Sequence, residues 1–196
     1  YGMLTIGGTA LDKLHLVVPN LNVWEQYYRF LFDQYQDTAR IDMMKLENAF
    51  TDAALKGDWQ PLFQYLSDRY FEDSSVRDAI GGEKNVQGYF MAYLNLSRLF
   101  VIRPELEFNH GYCDFFLLSD TKKFPVLKHS YVVELKYLKA DAAENEAKTQ
   151  WDEAEEQVRK YMSDESLKRM TAGTQLHGII LQFQGGKLID MGEVGV

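Results

Sequence analysis

Three residues have types and spacing that could do chemistry together: Asp114, Glu134 and Lys136. Asp114 stands at the edge of the apolar run Phe115-Phe116-Leu117-Leu118, where a carboxylate must find a cation, a hydrogen-bond donor or solvent. Glu134-Leu135-Lys136 lies within a later strand-like run, His129 to Leu138. Side chains alternate across a strand, so Glu134 and Lys136 share one face while Val133 and Leu135 take the other. If the two runs pair as a hairpin, Asp114 comes beside Glu134. Adjacent carboxylates repel unless a proton or a divalent cation neutralises them, and oxygen ligands of this kind suit Mg2+ or Mn2+ rather than Zn2+. With a lysine beside them, the set has the parts for phosphodiester hydrolysis: a cation site to activate water and positive charge to stabilise the developing phosphorane.

The elements that must position these residues can be read from periodicity. Leu4-Thr5-Ile6 and the run Leu14 to Val18 predict a hairpin turning at Gly7-Gly8-Thr9. From Leu21 the period becomes helical, with Val23, Trp24, Tyr27, Tyr28, Leu31 and Phe32 on one face. Two more helical patterns follow, separated by Lys56-Gly57-Asp58. A further helical stretch ends near Phe100, with Ser74-Ser75 as a cap and Gly81-Gly82 as a break. Strands are predicted over Val101 to Phe108, Tyr112 to Leu118 and His129 to Leu138, then a helix over Ala142 to Met162. A strand from Leu176 to Phe183 leads through Gly185-Gly186 into Lys187-Leu188-Ile189. This order describes an α/β (α+β) domain, a mixed sheet flanked by helices, over residues 76–196, preceded by a hairpin-plus-helices unit over residues 1–75.

Gly111-Tyr112-Cys113-Asp114 followed by Glu134-Leu135-Lys136 resembles the bipartite Asp…Glu-x-Lys core of the PD-(D/E)XK nuclease superfamily. Gln157 and Tyr161, four apart on the next helix, resemble its Gln-x-x-x-Tyr motif and could reach the same site. The resemblance implies a restriction-endonuclease-like fold, with Asp114, Glu134 and the Leu135 backbone carbonyl holding Mg2+ or Mn2+. It implies that Lys136 assists the attacking water and that Gln157 and Tyr161 support the site. Attack would be in line, leaving a 5′-phosphate and a 3′-hydroxyl. Glu83 is the candidate for the carboxylate that such domains often carry on the preceding helix. Cys113 stands where the superfamily name has Pro, at a variable position. Residues 1–20 with the aromatic helix after them are similar to the tail of an AAA-ATPase-like region that precedes such nuclease domains in a family of bacterial proteins. The implied partners are therefore nucleic acid, DNA before RNA, and an ATPase-like region of the same protein. The phosphate-binding loop Gly-x-x-x-x-Gly-Lys-Ser/Thr does not occur in this sequence.

Simpler readings of the same residues exist. Glu-x-Lys on a strand is by itself most often an ion pair, and the superfamily fold also carries inactive regulatory or protein-binding modules. His15, His110, His129 and His177 with a single cysteine give no zinc spacing, and Cys113 in an apolar strand reads as a packed thiol.

Composition bounds the answer. The 196 residues are 46% hydrophobic and 14% aromatic, enough for a substantial core. One cysteine excludes an internal disulfide framework and fits a reducing, cytoplasmic setting; no apolar run could span a membrane. The absence of an initiator Met suggests a piece of a longer chain. A net charge of −8 argues against a nucleic-acid partner, but it is unevenly placed. Residues 1–75 carry −5 and residues 140–165 carry −6, leaving +3 on the rest. Lys122, Lys123, Lys128, Lys136 and Lys139 are expected to gather around the proposed site.

Overall fold

The computed structural model describes residues 4–10, 13–17, 23, 26, 41–73, 82–109 and 111–195. The chain divides into two compact units, residues 1–39 and 40–196.

In the first unit, β1 (Thr5–Ala10) pairs antiparallel with β2 (Lys13–Val17). The hairpin is where the sequence places it, but Gly7 and Gly8 lie inside β1 rather than at the turn. The register shifts between Ile6 and Gly8, and a Cβ on Gly7 would come within 2.6 Å of Val17 Cγ1. The glycines there serve a bulge and a close approach. The predicted aromatic helix falls outside the described residues, apart from Val23 and Gln26, which are helical.

The second unit begins at Arg40, so the helices expected to belong to a separate 1–75 unit pack instead with the sheet. Helix α1 (Met43–Lys56) starts where the Asp42 carboxylate accepts from the Met44 and Lys45 amides, and ends at Gly57 with φ 76°. Helix α2 (Gln60–Asp73) buries Leu62, Phe63, Leu66 and Tyr70. Helix α3 (Glu83–Leu94) follows Gly82, whose φ is 60°, and ends six residues before Phe100, which already belongs to a strand.

Five strands then form one sheet in the order β3-β4-β5-β6-β7: β3 (Phe100–Phe108), β4 (Gly111–Ser119), β5 (His129–Leu138), β6 (Gln175–Gln184) and β7 (Lys187–Glu193). Only β5 and β6 are parallel. Their crossover carries α4 (Glu144–Met162) and the short α5 (Glu165–Met170). A helical crossover is what a parallel neighbour requires, whereas Gly185 and Gly186, at φ 57° and 88°, make the tight turn an antiparallel one needs.

The two faces of the sheet bury different layers. Phe115, Phe183 and Tyr131 face α1–α3: Phe90 stacks on Phe115, Phe183 meets Phe90 edge-on, and the Tyr131 hydroxyl donates to the Ala53 carbonyl at 2.7 Å. Phe116, Val132 and Ile180 face α4, against Ala154, Val158 and Tyr161. Gly178 lies directly under Val158 and Met162, where no side chain would fit. Each fully buried aromatic or aliphatic side chain contributes about 1.5–3 kcal/mol, so these two layers fix the sheet as a platform.

Candidate functional site

The alternation of β4 breaks at Asp114. Phe115 faces α3 and Phe116 faces α4, as alternation requires, yet Cys113 packs with Phe116 on the α4 side. The edge strand breaks at the same level. Its ladder with β4 pairs Pro104 with Phe115 and Leu106 with Cys113, and skips Glu105 opposite Asp114. Glu105 adopts φ 48°, a left-handed conformation unusual for a non-glycine residue, and Pro104 has no N–H to give. The paired strands thus both turn over at one point, which places Asp114 and Phe115 consecutively on the α3 side.

On its other side β4 leaves β5. The ladder runs from Leu117–Tyr131 to Phe115–Val133 and stops. The next pair in that register is Asp114 with Glu134. Instead of a backbone partner, the Leu135 amide donates to Asp114 Oδ2 at 2.7 Å. A strand residue directs its N–H and C=O to the same neighbour, so the Leu135 carbonyl is aimed at this gap as well. Asp114 Oδ1 accepts from Gln87 Nε2 of α3 at 2.6 Å.

Glu134 enters the gap from the α4 side and is almost fully buried. Its Oε1 accepts from Lys136 Nζ at 2.8 Å. Its Oε2 is buried with no hydrogen-bond partner among the described residues. The nearby Tyr161 hydroxyl gives its proton to the Tyr112 carbonyl at 2.9 Å. Burial and then the Glu134 charge push the Asp114 carboxyl up to about 7. Burial also raises Glu134, against the pull of Lys136 and, more weakly, of the Tyr161 hydroxyl beside it. The two acids are thus crowded and short of positive charge.

This arrangement fits a divalent cation. It offers two carboxylates from diverging strands, an aimed backbone carbonyl, and a buried carboxylate oxygen with no hydrogen-bond partner among the described residues, the nearby Tyr161 hydroxyl being spent on the Tyr112 carbonyl. Among the described residues no three His, Cys, Asp or Glu side chains form a metal-holding group, so the remaining ligands would be backbone and water oxygens, as Mg2+ commonly takes.

The other expected residues are placed as follows. Glu83 is exposed at the first turn of α3, and its charge raises both Asp114 and Glu134. Tyr161 is buried beside Glu134. Gln157 is exposed in a shallow depression with Glu153, Glu156 and Lys160 and makes no hydrogen bond to the cluster. Positions four apart on a helix differ by about 40° in azimuth, enough here to separate a buried Tyr161 from an exposed Gln157. The expected basic cluster is divided. Lys136 and Lys139 are at the site end of β5, but Lys122, Lys123 and Lys128 lie in the β4–β5 loop beyond Ser119, about 17 Å further along the strand.

Burial pushes the Cys113 thiol up to about 12, consistent with an inert packed thiol. His129 and His177 hydrogen-bond at 2.9 Å, and His177 bonds Glu193 at 2.7 Å, a structural relay tying β5, β6 and β7. His110 is outside the described residues.

Two residues of the site escaped the sequence reading. Gln87 is one; its signal is the spacing of four from Glu83, which puts both on one face of α3. Gln182 is the other. It is the β6 neighbour of Lys136, buried, and donates to the Ala147 carbonyl at 2.8 Å and to Gln150 Oε1 at 3.1 Å.

A mixed sheet flanked by helices, an aspartate where one strand breaks and a Glu-x-Lys on the next define a restriction-endonuclease-like domain. The family model of the PD-(D/E)XK nuclease superfamily matches residues 81–193, more than half of the chain. The chain belongs to that superfamily. No curated protein matches it. The family match covers no residue before 81, and none of the described helices is long and apolar enough to cross a membrane.

Proposed function

We propose that this domain hydrolyses phosphodiester bonds in nucleic acid, DNA before RNA, with Mg2+ or Mn2+ held by Asp114, Glu134 and the Leu135 carbonyl. The observation that carries this reading is the buried Glu134 Oε2, without a hydrogen-bond partner among the described residues, beside Asp114 in the gap between β4 and β5. When bound, the cation supplies Lewis-acid charge and a more acidic water. The protein's own residues do the rest. Gln87 and the Leu135 amide hold the Asp114 carboxylate in one orientation, each leaving it a further lone pair for a ligand. Lys136 keeps a positive charge next to Glu134, where it stabilises negative charge developing on the phosphoryl oxygens and orients water for in-line attack. Water attacks phosphorus, the P–O3′ bond breaks, and the products are a 5′-phosphate and a 3′-hydroxyl. Gln182 and Tyr161 are positioning residues: one braces the strand beside Lys136, the other the backbone at Tyr112. Glu83, and Gln157 after a rotamer change, would take part only once substrate is present.

The same reading makes the N-terminal segment the tail of an AAA-ATPase-like region in a bacterial, cytoplasmic protein, leading into the nuclease domain.

A second reading is favoured by one observation, the closed Lys136–Glu134 ion pair. In it the cluster is an internal ion pair of an inactive regulatory or protein-binding module. Calorimetric titration with Mn2+ separates the two. The nuclease reading expects binding by wild type and its loss in Asp114→Asn and Glu134→Gln, whereas the inactive-module reading expects no heat from any of the three.

A further inference from the structure

The geometry points to Tyr112 as a stacking platform for an unpaired nucleobase next to the scissile phosphate, which makes the substrate single-stranded or frayed nucleic acid. This rests on the proposed nuclease activity and adds the form of nucleic acid that the site accepts.

Tyr112 is 62% exposed, the most exposed aromatic side chain of the sheet among the described residues. It precedes Asp114 by two residues, about 7 Å along the strand. Its side matters. A Cβ on Gly111 would run into the Tyr161 ring on the α4 side, and Cys113 is buried on that side with Phe108 and Leu106. Tyr112, between them, therefore projects from the opposite face, the one from which Gln87 reaches the Asp114 carboxylate. The ring and the carboxylate thus lie on the same face of the sheet.

The ring is also held, although solvent covers it. Its own carbonyl accepts the Tyr161 hydroxyl at 2.9 Å, and its hydroxyl donates to Glu107 Oε2 at 3.3 Å from the paired position on β3. The hairpin behind it is tied to the end of α4. The Asn109 amide donates to Asp164 Oδ2 at 2.9 Å, and Asn109 Nδ2 donates to the Lys160 carbonyl at 2.8 Å. A large aromatic held open to solvent beside a reactive centre loses little freedom when a flat partner covers it. The neighbouring side chains narrow the contact. Glu107 and Glu105 on the adjacent strand and Glu83 on α3 give the ring no basic neighbour for a phosphate, so its contact with nucleic acid is the uncharged π-face of a base. Bases inside a duplex are already stacked and cannot offer that face. Hence the preference for an unpaired one.

The test is fluorescence anisotropy of a labelled single-stranded oligonucleotide and of a blunt duplex, with Ca2+ in place of Mg2+ because it takes the same oxygen ligands. Tyr112→Ala should weaken single-strand binding by about 5- to 150-fold and leave duplex binding unchanged. Tyr112→Phe should bind like wild type, because stacking needs the ring and not the hydroxyl. Single-strand affinity unchanged in Tyr112→Ala, or an equal loss for both substrates, overturns the stacking role, and a protein-docking role for the ring then remains the alternative. Mn2+ calorimetry on the same samples keeps the two proposals apart. Wild type and Tyr112→Ala should bind the ion equally, and absence of ion binding in wild type fails the nuclease reading itself.

Discussion

The Leu135 amide donates to Asp114 Oδ2 at 2.7 Å, at the point where the β4–β5 ladder would otherwise continue. A carboxylate has taken the place of a backbone carbonyl, and the strands part around it. The hydrogen bond both secures the broken ladder and orients the first candidate ligand.

Removing that carboxylate should separate these two roles. Asp114→Asn keeps an acceptor for the Leu135 amide, so the fold should hold while Mn2+ binding is lost. Asp114→Ala orphans the amide and should cost about 1–3 kcal/mol in urea unfolding. Equal stability of the Asn and Ala variants would show that the bond contributes nothing to the fold.

Gln87 should matter to the ion more than to stability. It touches Asp114 from a separate helix and is partly exposed. Gln87→Ala is expected to weaken Mn2+ affinity by about 10- to 100-fold, as outer partners of metal ligands do, with a stability change under about 1 kcal/mol. Titration calorimetry and thermal unfolding read the two effects separately.

Glu105 stores backbone strain at the break. Glycine tolerates φ 48° freely and a β-branched residue does not. Glu105→Gly should therefore leave stability within about 0.5 kcal/mol of wild type, while Glu105→Val should lower it by about 1–3 kcal/mol. The reverse order in denaturant unfolding would show that the residue is not held in this conformation.

Stability should respond to pH through two groups of opposite sign. His129 is lowered, first by burial and then by His177, in a cluster that also faces Lys128 and Glu193. A depressed folded value means its contribution is full above the unfolded value of about 6.5 and is lost as pH falls through the folded one. Asp114, raised to about 7, works the other way: the metal-free fold is favoured below the unfolded value of 3.8 and loses that advantage as pH rises through about 7. Relative to wild type, Asp114→Asn should gain melting temperature on going from acid to neutral pH, and His129→Gln should lose less below about pH 6. Parallel curves for all three proteins would contradict both assignments.

What the sequence disclosed and what it hid follow from range. The placement of Asp114 on one strand and of Glu134 with Lys136 on the next was legible because both strands show strong local alternation with a turn between. The inversion at Asp114 was not, because alternation puts Cys113 and Phe115 on one face, and only the left-handed Glu105 on a neighbouring strand undoes that. Gln87 was hidden because its partner lies on another element, with no periodic signal linking them. The helices over 43–73 looked like part of a separate unit, since their periodicity names a buried face but not its partner. That partner is distant: Trp59 Nε1 donates to Glu193 Oε2 at 3.0 Å, and Tyr70 meets Phe183 edge-on. The lysines of the β4–β5 loop lie away from the site for a related reason: closeness to Asp114 in sequence is not closeness in space along an extended strand.

Cleavage of a labelled oligonucleotide, with Mg2+ and with EDTA, tests the central claim most directly when wild type, Glu134→Gln and Lys136→Ala are run together. The account predicts Mg2+-dependent cleavage by wild type that leaves 5′-phosphate ends, and none above background from either variant or in EDTA. Cleavage that survives Glu134→Gln or EDTA, or a wild type inert with both Mg2+ and Mn2+, would contradict it.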